Sequence, residues 1–232
     1  MKPFAQEPAL TERVRDAILG AIVDGTFRTG ERLAQEDLAQ RLGVSRQPVS
    51  HALNLLKEQG ILVELGRKGL TVAPIEAERL HQLYAVRGRM DALAAGLAAR
   101  RVKAGDAPAD ILREIEGLIA EQNDPKRAGG LARWVETDVA FHIAIYRLSA
   151  NPVIEEMARP QWVHFRRSMQ ASLEQPETHG PVWKQHKAIF SAIRAGDPVA
   201  AERLALEHAE HAADRTSAWL KAGEKKRGGL QK

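Results

Sequence analysis

The chain contains no cysteine in its 232 residues. That absence excludes disulfides, thiolate metal sites and a cysteine nucleophile, so any bound metal has to be held by nitrogen and oxygen ligands. A membrane-length apolar run is missing as well. The longest, AILGAIV at residues 17–23, is flanked by Arg15, Asp16 and Asp24. It is too short for a bilayer span and wrongly shaped for a secretion signal, which predicts a cytoplasmic protein with no membrane partner. A broad charge surplus is also missing. The formal net charge is +4, yet residues 1–75 hold 10 basic against 9 acidic side chains and residues 76–220 hold 19 against 20. The excess sits in KAGEKKRGGLQK at 221–232, with 5 against 1, read as a basic, disordered tail from residue 222 onward. Bulk charge therefore makes no case for nucleic acid, and such a case has to rest on local placement. Internal repeats are absent, and so is low complexity outside the tail.

What is present is an ordinary 44% apolar composition, enough for a packed core in one large or two modest domains. From Leu10 to Gly60 the periodicity is helical in three pieces. TERVRDAILGAIVDG carries Val14, Ile18 and Ile22 on one stripe and stops at Gly25. FRTGERL reads as a polar turn, LAQEDLAQRLG as a short second helix, and SRQPVSHALNLLKEQG as a third. ILVELGRKGLTVAPI then alternates around Gly66 and Gly69, the pattern of two short strands joined by a basic turn. Helix, helix, turn, helix and hairpin is the order of a winged helix-turn-helix over residues 1–74. In GVSRQPVSHAL, Ser45 is a good N-cap and Pro48 falls in the first helical turn. Arg46 and Gln47 then project from the end of the helix that such proteins insert into the major groove. Arginine pairs with guanine and glutamine with adenine, while Ser45 and Ser50 can bond phosphates. Arg67 and Lys68 at the hairpin tip add local positive charge.

The run GTFRTGERLAQEDLAQRLGVSRQPVSHALNLLKEQGILVELGRKGLTV resembles the N-terminal domain of GntR-family bacterial transcription regulators over about residues 10–74. It departs from the family's pattern at Ser50 and His51, where Arg and Glu are usual. Because that Arg commonly contacts DNA, the resemblance leaves the operator sequence open, with Gln47 or His51 as alternative readers.

After Pro74 strand signals vanish, and helical segments follow, punctuated by AGDAPAD, NDPKRAGG, SANP, EQPETHGP and AGDP. This is the pattern of an all-α bundle of six or seven helices over residues 75–221, with Pro160 kinking or splitting one of them. The fold class is thus mainly α. WVETDVAFHIAIYR at 134–147 places Asp138 and His142 on the same inward face as Trp134, Val135, Phe141 and Ile145. A carboxylate taken out of water demands compensation. At a spacing of four, the two residues are either an intrahelical pair or half of a metal site. Other helices offer further ligands: His186 shares a stripe with Val182, Ile189, Phe190 and Ile193, and His208 one with Ala201, Leu204, Ala205 and Ala212. Neutral imidazoles plus a carboxylate suit a divalent Zn, Ni, Co, Fe or Mn ion.

The pattern D-x3-H, then HKAIFSAIRAGD, then a histidine 22 residues after the first of these, resembles the FCD ligand-binding domain of the FadR subfamily of GntR regulators. The resemblance implies that Asp138, His142, His186 and His208 hold a divalent ion, and that Arg87 lies near the pocket with an acid, Asp91, four residues on. It also implies a small carboxylate effector. Open metal positions with a guanidinium can hold both ends of an organic acid. Asn151, Arg166 and Arg167 are further effector candidates, although an outward face explains the arginines equally well. The expected function is a homodimeric transcription repressor, acting on a palindromic double-stranded DNA operator and controlled by that acid, and not an enzyme. A metal-dependent hydrolase, or an architectural DNA binder with a structural metal, stands as the alternative.

Overall fold

The computed structural model describes residues 10–66, 69–123, 130–173 and 179–229. Its contacts divide the chain into two units, Met1–Ile75 and Glu76–Lys232.

In the first unit α1 (Leu10–Val23) buries Val14, Ile18 and Ile22, the stripe its periodicity marks. It packs on α3 (Arg46–Glu58), whose buried face is Val49, Ala52, Leu53 and Leu56. Between them α2 (Gln35–Leu42) ends at Gly43, left-handed at φ 65°, a conformation that costs a residue with a Cβ about 1–2 kcal/mol. This tight stop leaves only Val44 and Ser45 before α3 starts at Arg46. Strands β1 (Leu62–Glu64) and β2 (Leu70–Val72) pair antiparallel with Val63 opposite Thr71, and Gly66 and Gly69 both have positive φ at the turn. The segment expected to be a polar turn, FRTGERL, does more than turn: Leu33 N–H donates to Leu70 O at 3.0 Å and Val72 N–H to Glu31 O at 3.0 Å. It makes an isolated bridge to the open edge of β2, Arg32 opposite Thr71, and so supplies partners for backbone groups that β1 does not reach.

The second unit contains seven α-helices among the described residues: α4 (Ala77–Ala104), α5 (Ala109–Asn123), α6 (Leu131–Leu148), α7 (Pro152–Ala158), α8 (Trp162–Ser172), α9 (His179–Arg194) and α10 (Pro198–Gly229). Pro160 does split a helix, within a 3-10 turn at Arg159–Gln161 between α7 and α8. The stretches 124–129 and 174–178, read as loop punctuation, lie outside the described residues. The tail expected to be disordered from residue 222 instead continues α10 as far as Gly229; alanine, glutamate and lysine are good helix formers, and no proline stops them. Leu204, expected on the inward stripe of His208, is half-buried.

α10 packs most extensively against α4, through small side chains. Ala94, Ala95, Ala98 and Ala99 of α4 are buried, as are Ala201, Ala205 and Ala209 of α10. A Cβ on Gly88 would stand 3.1 Å from Ala209 Cβ, so the two backbones approach closely there. That approach brings polar groups of α4 and α10 to one depth in the bundle.

Candidate functional site

Four helices send polar side chains into the same buried region. From α6 come Asp138 and His142, from α9 His186, from α10 His208 and from α4 Arg87 and Asp91, each at most 4% exposed. His186 Nε2 lies 3.2 Å from His208 Nε2 and 3.6 Å from Asp138 Oδ1, and His142 Nε2 lies 3.9 Å from Asp138 Oδ2. One ring nitrogen from each of the three histidines falls within a span of 4.8 Å. The rings pack tightly: His186 stacks on Phe141 at 4.1 Å and His142 on His208 at 5.2 Å.

The electrostatics of this cluster are unbalanced. Burial pushes all three imidazoles well below their ordinary pKa, and the neighbouring positive groups push them further, so the rings are neutral. Burial also pushes the Asp138 carboxyl up to about 6, against the pull of Arg87 and Arg215. At neutral pH an ionised carboxylate therefore sits among uncharged rings. His142 Nε2 has no hydrogen-bond partner among the described residues. Three imidazole nitrogens and a carboxylate oxygen, one of them an orphaned buried acceptor, fit a divalent cation by donor chemistry.

Beside the cluster, Arg87 Nε lies 3.2 Å from Asp91 Oδ2, which is 3.5 Å from His142 Nδ1. Tyr146 OH donates a hydrogen bond to Asp91 Oδ1. The guanidinium lies over Trp162 at 4.6 Å and Phe165 at 4.8 Å. Arg87 keeps a raised pKa although burial opposes it, because Asp91 is adjacent. Its Nε and Nη2 nonetheless make no hydrogen bond of good geometry among the described residues. A cavity of about 10 Å³, room for about one water, lies between Asp91, Phe141, His142, Tyr146, Ile189 and Ala205.

Two of the other expected effector residues, Asn151 and Arg166, are engaged elsewhere. Asn151 caps α7, its Oδ1 accepting from Val153 N–H at 3.2 Å. Arg166 pairs with Glu136 at 3.0 Å. Arg167 is buried on α8, where burial lowers its pKa. Three participants were not anticipated from the sequence. Tyr146 follows His142 by four, so its position on the inward face was readable. Trp162 begins a helix after a break and carries no periodic signal. Gln185, whose Oε1 accepts from His208 Nδ1–H at 2.9 Å, is adjacent to His186 in the chain and so lies off its stripe.

In the first unit, the buried face of α3 leaves the expected DNA readers on the opposite side. Ser45, Arg46, Gln47 and His51 are exposed and Ser50 is half-buried. Ser45 holds the N-cap position without a side-chain capping bond, which leaves its hydroxyl available. Arg67 and Lys68 lie outside the described residues.

The sequence matches two family descriptions: "Bacterial regulatory proteins, gntR family" over residues 10–72 and "FCD domain" over residues 82–211. It is 25% identical to the uncharacterized HTH-type transcriptional regulator YdhC of Bacillus subtilis over 88% of this chain and 89% of that protein. It is 30% identical to an uncharacterized HTH-type transcriptional regulator of Mycobacterium tuberculosis over 82% of each. The crystal structure of a putative transcriptional regulator GntR from Rhodococcus sp. RHA1 is similar at TM-score 0.72 and 29% identity, covering 89% of this chain and 96% of that one. Among the described residues no helix is long and apolar enough to cross a membrane. The names shared by these relatives are those of transcription regulators and not of enzymes, and the chain belongs to the gntR family of bacterial regulatory proteins, with an FCD domain as its second unit.

Proposed function

We propose that this regulator is a cytoplasmic homodimeric repressor of the FadR kind, whose FCD domain holds one divalent ion and responds to a small carboxylate. The observation that carries the reading is Asp138, an ionised side chain 2% exposed among three neutral histidines. Asp138, His142, His186 and His208 would hold the ion, with Zn, Ni, Co, Fe and Mn all compatible with the donors. Such an ion supplies a Lewis-acidic position for a carboxylate oxygen. Arg87 supplies a guanidinium whose Nε and Nη2 are buried without good hydrogen bonds.

Charge bookkeeping favours an anion as the effector. The buried Asp138, Asp91 and Arg87 leave one negative charge, which the half-buried Arg215, also acting on Asp138, offsets. A divalent ion then makes the site net positive, and a carboxylate ligand would offset that charge in a low-dielectric site. The cavity beside His142 has room for about one water, so an acid must open the bundle to enter, and that change of packing is the element an effector can bias. Two recognition helices reading a palindromic operator require a dimer. Val86 and Leu93, seven apart on α4 and 59% and 46% exposed, support a second copy as the partner of that helix. On DNA, Arg46, Gln47 and His51 would read bases and Ser45 and Ser50 would bond phosphates, with Arg67 and Lys68 assigned to the wing on sequence alone.

The small cavity also favours a second reading, an architectural DNA binder with a structural metal. Metal analysis of purified protein, with His186→Ala beside it, tests the ion: one equivalent in the wild type, lost in the variant, is expected. A thermal-shift screen of small organic acids on the loaded protein separates the two readings, because a structural site gives no acid-dependent shift.

A further inference from the structure

His208 meets the cluster through Nε2, 3.2 Å from His186 Nε2, and leaves the cluster through Nδ1. On that outer side Gln185 stands between two histidines of α10. Its Oε1 accepts from His208 Nδ1–H at 2.9 Å and its Nε2 donates to His211 Nδ1 at 2.8 Å. His208 and His211 are three apart on one helix and therefore present neighbouring ring edges to α9. A neutral imidazole carries one proton, so the partner of one ring nitrogen decides what the other can do. With Nδ1 as donor, Nε2 of His208 keeps a lone pair directed at His186. In the opposite tautomer that nitrogen would carry hydrogen and fill the place a cation needs. Turning the Gln185 amide over would present N–H to His208 Nδ1 and oxygen to His211 Nδ1 and would pair with the opposite tautomer of each ring, so the amide and the two rings change together.

We infer that Gln185 is a positioning residue for the FCD centre: clamped by His211, it holds His208 in the tautomer whose Nε2 is free to bind a metal ion. The inference rests on the proposed metal reading. It adds a residue that touches neither the ion nor the effector. It also gives a role to a glutamine that is half-buried between two histidines. His186 differs: its Nδ1 has no hydrogen-bond partner among the described residues, and its ring is held by stacking on Phe141 instead. The centre thus has one histidine oriented by a hydrogen-bond relay and one oriented by packing.

The test uses the full chain, stripped by chelator, with zinc as the probe. Long-range proton–nitrogen spectra of metal-free protein report the tautomer of His208, assigned by its loss in His208→Gln. Zinc affinity is read by chelator competition. The wild type should show the Nδ1–H form. Gln185→Leu should lose that preference and weaken zinc about 10- to 100-fold. Gln185→Glu, which still accepts from Nδ1–H, should keep both the tautomer and the affinity. His211→Ala, at an exposed position that leaves the core intact, should shift the tautomer in the same direction as Gln185→Leu by a smaller amount, and serves if the leucine variant fails to fold. Zinc bound equally well by wild type and Gln185→Leu overturns this inference and leaves the metal reading standing. Equal loss in Gln185→Leu and Gln185→Glu reduces Gln185 to packing and likewise overturns it. A wild type that binds no zinc overturns both.

Discussion

Replacing Asp138 by asparagine should reverse its effect on stability according to whether metal is present. In an unfolded chain the carboxyl titrates near its ordinary value of 3.8, and in the folded protein burial raises it to about 6. Folding therefore favours the protonated form. That advantage is complete below 3.8 and is lost as the pH rises through 6. Above both values the native state carries an ionised group that destabilises it by about 3 kcal/mol relative to a neutral one. Asparagine keeps the shape and removes the charge, at a cost of about 1 kcal/mol for an imperfectly bonded buried amide. Urea denaturation of chelator-stripped protein at pH 7.5 should thus find Asp138→Asn more stable than wild type by about 2 kcal/mol. The advantage should disappear near pH 4, where the native carboxyl is already protonated. Zinc at about a thousand times its dissociation constant adds about 4 kcal/mol to the wild type and little to the variant, so the order inverts. If Asp138→Asn destabilises the stripped protein at pH 7.5, the carboxylate is already satisfied by protein groups and no cation is called for.

Two further outcomes follow from the same structure. Arg46→Ala should weaken operator binding by about 1–3 kcal/mol at fixed salt, read by fluorescence anisotropy; unchanged affinity would move base reading to Gln47, His51 or the wing. In metal-free protein, the depressed pKa values of His142, His186 and His208 mean that folding excludes protons which the unfolded chain takes up below about 6.5. Their contribution to stability is complete above that pH and is lost below it, by about 1.4 kcal/mol per pH unit for each ring. Three rings outweigh the opposite slope of Asp138, so urea midpoints should fall steadily from pH 6.5 to 5, and a flat profile would show that the rings are charged or hydrated in the native state.

The parts legible in the sequence are those in which a residue's own helix decides its environment. Val14, Ile18 and Ile22 on α1, and Asp138 and His142 on α6, follow from a period of 3.6, and the structure buries all five. Gly43 and Pro160 act through the backbone, so the helix ends they mark also follow from local chemistry. The bridge between Arg32 and β2 was not legible. Glu31 and Leu33 pair because β2 has open backbone groups, and no side-chain pattern records a need that belongs to another segment.

The same distinction runs through the site. A stripe reports that a side chain points inward and says nothing about what it meets there. That His208 meets His186 depends on how closely α10 approaches its neighbours, and this is set by the alanines of α4 and α10 and by Gly88, whose missing Cβ leaves room for Ala209. Small residues in a helix carry no chemical signal of their own; they read as good helix formers and nothing more. Their effect is nevertheless to place Arg87 and Asp91 within reach of His142, since larger side chains at this contact would push α4 away and leave three buried charged or polar groups without one another. The ligand types could be read from single helices, whereas the distances between them follow from residues that lack functional groups altogether.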